Sequence, residues 1–169
     1  EISFWIAIDA GSPVFTNVLP ANGEFYSSVI ILTGTITDGS GVANINVTGG
    51  GTSSLEKPTT NIASGANFID TITVPNETAS YNKVYTATDK YGQSSTYTFE
   101  YNVDKKTPTL EIVTKPSNEY IRKEYNVSFD GTSSDEGDGQ SGVASVLYCV
   151  TNDEIVPTTI DSNWIQCVG

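Results

Sequence analysis

The stretch TDGSGVANINV, residues 37–47, returns about a hundred residues later as SDEGDGQSGVASVLY, residues 134–148. Each contains an aspartate, turns through small residues, and enters Ser-Gly-Val-Ala followed by an apolar run. The match spreads outward from there. Ser12-Pro13 falls on Thr107-Pro108 at an offset of 95, and Pro20-Ala21-Asn22 on Pro116-Ser117-Asn118 at 96. Gly34, Thr35 and Asp38 fall on Gly131, Thr132 and Asp135 at 97. By Ser40-Gly41-Val42-Ala43 against Ser141-Gly142-Val143-Ala144 the offset is 101, with the added residues lying around Glu136-Gly137-Asp138. An unchanged order with insertions confined to turns is the mark of tandem copies of one domain.

The local pattern says what that domain is. Tyr97, Phe99, Tyr101 and Val103 alternate with Thr98, Glu100, Asn102 and Asp104, and Tyr125, Val127 and Phe129 alternate with Asn126 and Ser128. A period of two is that of a half-buried strand. Further strand-like runs at 14–19, 29–37, 42–48, 68–74 and 81–88 are separated by Gly, Asn, Asp, Ser and Pro clusters, and no stretch reads as a helix. Short strands rich in Thr, Val, Ile and Tyr predict an all-β chain of tandem immunoglobulin-like antiparallel β-sandwiches. The repeat also runs backward: Ile2, Phe4, Ile6, Ile8 and Asp9 fall on Tyr97, Phe99, Tyr101, Val103 and Asp104 at the offset of 95. The expected organisation is therefore the last strand and linker of a preceding repeat in residues 1–11, a complete repeat in 12–105, and an incomplete one in 106–169.

The succession of a Pro-initiated strand, GTITDGSGVANINV, YTATDKYGQSS and a last strand ending VDKKTP resembles the bacterial immunoglobulin-like repeats of surface proteins, adhesin stalks and multidomain exoenzymes. That resemblance spans the chain and implies a non-catalytic extracellular or cell-surface spacer segment whose neighbours are other repeats of the same protein. A ligand- or carbohydrate-binding adhesin module and an accessory domain of an exoenzyme remain the alternatives. No ligand residue carries over, because the shared motifs are turns.

Composition narrows the chemistry. Twenty Asp and Glu against 8 Lys and Arg give a net charge of −12, which repels nucleic acid and anionic lipid and suits divalent cations. The chain has no histidine, so nucleophile systems built on a histidine base and His-ligated metal sites are excluded. No apolar run is long enough to span a membrane as a helix, so no membrane insertion is expected. The lack of any methionine, even at the start, reads as a processed or excised piece. No cofactor is required by this reading.

The remaining candidates each have a plain explanation beside a functional one. Asp38-Gly-Ser-Gly41 and Asp89-Lys-Tyr-Gly92 place Asp and Gly where a type I turn wants them. Calcium is the cofactor that linker and loop acids could hold, and the expected ligands are Asp104, Asp135 and Asp138; a solvated acidic loop is the competing reading. Cys149 and Cys167 are expected to form one disulfide in an oxidising compartment, or to stay thiols in the cytosol. Asn46, Asn76 and Asn126 match the N-glycosylation pattern, in a chain where chance supplies such triplets readily. The aromatics at 81, 85, 97, 99 and 101 are expected in the core and in cross-strand pairs, with Trp5 on the polar phase of its strand. Ile2, Phe4, Ile6 and Ile8 could serve as an inter-subunit strand, donated to the incomplete repeat of another copy; chain boundaries explain the same pattern.

Overall fold

The computed structural model describes residues 3, 6, 8, 9, 11–56, 66–114, 128–137, 140–149, 158 and 164–167. The described residues form strands, turns and bends without any helix, in several sheets dominated by antiparallel pairing. Two compact units are present, the first Glu1–Lys105 and the second Lys106–Gly137 with Ser141–Gly169.

The described residues of the first unit form eight strands: β1 Val14–Leu19, β2 Phe25–Tyr26, β3 Val29–Thr37, β4 Val42–Gly49, β5 Thr52–Glu56, β6 Ala66–Thr73, β7 Ala79–Asp89 and β8 Ser94–Val103. They make two four-stranded sheets, ordered β1-β3-β6-β5 and β2-β8-β7-β4. Every pairing is antiparallel except β2 with β8. Alternation decides which side chains face inward. Ile30, Leu32 and Ile36 of β3 and Phe68 and Ile72 of β6 are buried, as are Tyr85 and Ala87 of β7 and Phe99, Tyr101 and Val103 of β8. These side chains share one core between the two sheets. Each fully buried large apolar side chain contributes about 1.5–3 kcal/mol, so this face is what holds the unit together.

Strand β1 shows how sequence bends to packing. Phe15 and Val18 both pack against the core, yet an unbroken strand would point residues of odd and even number to opposite faces. Asn17 resolves the conflict by adopting φ 50°, and the register with β3 shifts between Thr16 and Leu19. Asn is among the few side chains that tolerate the left-handed region. The resulting bulge turns Val18 inward after Phe15.

The second unit contains β9 Thr109–Thr114 paired with β10 Asp130–Ser134, and β11 Leu147–Tyr148 paired with β12 Ile165–Gln166. Its ladder copies the first. Val14 pairs with Thr37, Phe15 with Ile36 and Thr16 with Thr35; Thr109 pairs with Ser134, Leu110 with Ser133 and Glu111 with Thr132. Beyond the bulge Leu19 pairs with Thr33, and Thr114 with Asp130. Four of the five β9–β10 pairs are β1–β3 pairs shifted by the sequence offsets of 95 and 97; the fifth, Ile112 with Gly131, has no counterpart, because Asn17 and Gly34 at those positions are not paired with each other across the wider bulge of β1. Burial is not copied. Leu110, Ile112, Val113 and Phe129 are all exposed.

Two strands of the first unit were not foreseen, β2 and β5. Phe25–Tyr26 is too short to show a period, and Thr52–Glu56 is a mostly polar run directly after Gly49-Gly50-Gly51. The disulfide expected between Cys149 and Cys167 is not formed. The ladder explains why. Tyr148 pairs with Ile165 and Leu147 with Gln166, so Cys149 and Cys167 leave the β11–β12 ladder at opposite ends. A bridge needs Cα atoms within about 7 Å.

Ile6 and Ile8 are exposed and in no strand, while Ile2 and Phe4 of the same expected strand, and Trp5, lie outside the described residues.

Candidate metal centre

Three chain segments meet in the first unit. The residues before β1 supply Asp9, the turn between β3 and β4 supplies Asp38, and the turn between β7 and β8 supplies Asp89. Strand pairing fixes two of them together, because Val42, which opens β4 directly after the Asp38 turn, is paired with Asp89. One carboxylate oxygen from each of the three lies within 4.8 Å of the others.

Each aspartate is held by its own turn. Asp38 Oδ1 accepts from the Ser40 backbone N–H at 2.8 Å and from the Ser40 hydroxyl at 2.7 Å, and the Asp38 carbonyl accepts from Gly41 N–H at 3.3 Å. Gly41 sits at φ 94°, and Gly142, its counterpart in the repeat, at φ 85°. That left-handed conformation is why glycine stands at both corners. In the second unit Gly142 N–H donates to Asp135 Oδ2 at 3.0 Å, so the longer loop is closed by the same two residue types. Asp89 Oδ1 accepts from Tyr91 N–H and Gln93 N–H, both at 2.8 Å. Asp9 Oδ1 accepts from Gly11 N–H at 3.1 Å, and its carbonyl accepts from Gln93 Nε2 at 3.2 Å, which ties this segment to the β7–β8 turn. The turn explanation is thus correct as far as it goes.

It does not account for every oxygen. Asp38 is 8% exposed and Asp89 2%, and the second oxygens of Asp89 and Asp9 are buried without a hydrogen-bond partner. The adjacent Ser40 hydroxyl, the Gly11 N–H and the charge of Lys90 together hold the Asp9 carboxyl below the ordinary aspartate range, against partial desolvation. Lys90 Nζ itself lies over the Tyr91 ring, 4.8 Å from its centroid.

The residues expected to hold calcium are placed otherwise. Asp104 belongs to the first unit, where its N–H donates to Tyr26 O at 3.2 Å, and Asp135 belongs to the second. Asp138 lies outside the described residues. The missed cluster had a signal in the sequence: the offsets of 95 and 97 carry Asp104 onto Asp9 and Asp135 onto Asp38.

A second polar group sits in the core. Asp70 is fully buried on β6, and its Oδ2 accepts from the Tyr85 and Ser53 hydroxyls, both at 2.7 Å. Burial, followed by the bond to Asp70 and its charge, pushes the Tyr85 hydroxyl far above its ordinary pKa. Lys83 is 2% exposed and donates to Gly51 O at 3.1 Å; burial lowers its pKa, and the charge of Asp70 partly offsets this. This network joins β5, β6 and β7 across the core. Of the aromatics, Tyr85, Phe99 and Tyr101 are buried, and Tyr81 and Tyr97 are partly buried opposite Tyr101 and Tyr85. Asn46 and Asn76 are exposed, and Asn126 lies outside the described residues.

No family model matches this chain, and no curated protein matches it in sequence.

Proposed function

We propose that the chain is a non-catalytic, extracellular segment of tandem immunoglobulin-like repeats, a spacer that holds other parts of a surface protein or filament at a distance. The observation that carries this reading is the pairing of β9 with β10, in which four of five pairs repeat those of β1 with β3 on both sides of a register shift that comes just before the same last pair. Independent domains have no reason to share a bulge position, whereas copies of one unit do. The two sheet orders of the first unit also correspond to the seven-strand immunoglobulin arrangement, with β1, β3, β6 and β5 as one sheet and β4, β7 and β8 as the other. In this reading β2 continues the first strand onto the second sheet.

A mechanical role has a specific support. The second strand of the unit, β2, lies parallel to its last strand, β8, and is joined to it by Gly23 N–H to Glu100 O at 2.8 Å and Asn102 N–H to Glu24 O at 2.9 Å. Asp104 N–H to Tyr26 O adds a third bond at 3.2 Å. Tension along the chain pulls two parallel neighbouring strands in opposite directions, so these bonds are loaded together in shear. An adhesin module would instead use an open recognition surface. The shallow hollow beside Tyr81, Glu100 and Asn102 is the place for it, but Tyr101 OH is bonded to Gly50 O and Asn102 Nδ2 to Gly23 O.

The test is to stretch the full chain between its ends in a single-molecule force experiment. The reading expects the first unit to rupture in one high-force event, at a force lowered by Asp104→Pro, which removes the donor to Tyr26. Gradual low-force extension, or retention of the chain on a glycan array, overturns it.

A further inference from the structure

The three aspartates of the first unit form a group that turn chemistry leaves unfinished. In Asp89 the turn takes Oδ1 and leaves Oδ2 buried without a partner in a residue only 2% exposed. Asp9 is only half-buried, but its Oδ1 is bonded to Gly11 and its Oδ2 has no hydrogen-bond partner, since the adjacent Ser40 hydroxyl donates to Asp38. Desolvating a carboxylate oxygen without a hydrogen bond or counter-charge is costly, and folded proteins rarely leave one so. The three carboxylates, each with an oxygen within 4.8 Å of the others, repel one another as well. A cation removes all three penalties at once.

The donor set selects its class. The ligands are carboxylate oxygens, and the chain has no histidine, so the site suits a hard oxygen-seeking ion rather than zinc or copper. Oxygens within 4.8 Å of one another can share one ion, and calcium, which takes six to eight oxygens at about 2.3–2.6 Å in flexible geometry, suits carboxylates held by separate turns better than magnesium, which demands near-ideal octahedral geometry. We propose that Asp9, Asp38 and Asp89 bind a calcium ion, which fastens the segment before β1 to the β3–β4 and β7–β8 turns. This goes beyond the spacer reading and does not depend on it: any chain with this geometry would bind the ion. The consequence for the molecule is that the approach to β1 becomes rigid only when calcium is present.

Titration calorimetry and thermal melting of the full chain, in calcium, magnesium and chelator, test this. The expected result is one calcium per chain with a dissociation constant in the range of about 10⁻⁴–10⁻³ M typical of extracellular sites, and a higher Tm in millimolar calcium. Asp9→Asn lies outside every strand, and Asp89→Asn keeps an oxygen for Tyr91 and Gln93 N–H, so both variants retain the fold. Each should weaken binding about tenfold or more by removing ligand charge. Glu77→Gln, on the exposed bend before β7, should bind as the parent does. An unchanged melt between calcium and chelator overturns the proposal. So does equal binding by the Asp9 and Asp89 variants, which would move the ion elsewhere, and so does an equal Tm rise in magnesium, which would mean general charge screening.

Discussion

The first and second units use one strand pairing in two environments. Phe15 of β1 packs edge-on against Phe68 at 6.0 Å between ring centroids and lies 5.9 Å from Tyr97, whereas Leu110, its counterpart on β9, is 59% exposed. The paired glycines differ likewise. A Cβ on Gly34 would come within 2.5 Å of the Phe68 ring, so this position is fixed by the core. On Gly131 it would come within 2.5 Å of the Glu111 carbonyl, so there the neighbouring strand sets the limit. The contrast separates two determinants. Register and bulge follow from local turn and ladder chemistry, while burial follows from the second sheet, whose Tyr85, Phe99 and Tyr101 cover the inner face of β3 and β6.

If that separation holds, mutations should divide sharply between the units. Phe99→Ala removes a fully buried ring and should cost about 3–5 kcal/mol in denaturant unfolding, whereas Val113→Ala on the exposed face of β9 should change stability by no more than about 0.5 kcal/mol. Comparable losses at the two sites would mean that the second unit has a core of its own.

The smaller effect lies inside the first unit's polar network. Tyr85→Phe takes one of two donors from Asp70 Oδ2 and should cost about 1–3 kcal/mol at neutral pH. It should also change the alkaline behaviour. The folded-state pKa of Tyr85 is raised above its unfolded value of 10.0, so its contribution is fully present below pH 10 and is lost as pH climbs beyond it. The stability difference between parent and Tyr85→Phe should therefore shrink above pH 10, a comparison in which the opposite titration of Lys83 cancels. A difference that stays constant to pH 11 contradicts the assignment.

Much of the ladder was legible in the sequence, because residues 14–19 and 29–37 read as strand-like runs between turn clusters and the strands observed there have those bounds, although the bulge at Asn17 was not. Strand β5 was not, since TSSLE is mostly polar and takes its place through Ser53, which donates to the buried Asp70 on the neighbouring strand β6. Asp70 itself occupies an inward position between Phe68 and Ile72, where an alternation rule expects an apolar residue. The candidate site was half legible. The DxxG turns were recognised at Asp38 and Asp89, but their convergence depends on the pairing of Val42 with Asp89, a contact between residues 47 positions apart that no local pattern encodes. Cys149 and Cys167 mislead for the same reason: their spacing suggests a bridge, and only the register of β11 with β12 sets them at opposite ends.

The proposed tandem repeat requires that one unit be written twice, with matching backbone pairing. Cross-strand backbone contacts measured by nuclear magnetic resonance on the full chain test it directly. The account predicts contacts between Thr16 and Thr35 and, in the second unit, between Glu111 and Thr132, with both ladders shifting register before Leu19–Thr33 and Thr114–Asp130. A β9–β10 ladder displaced by even one residue from that of β1–β3, or lacking the shift, would contradict it.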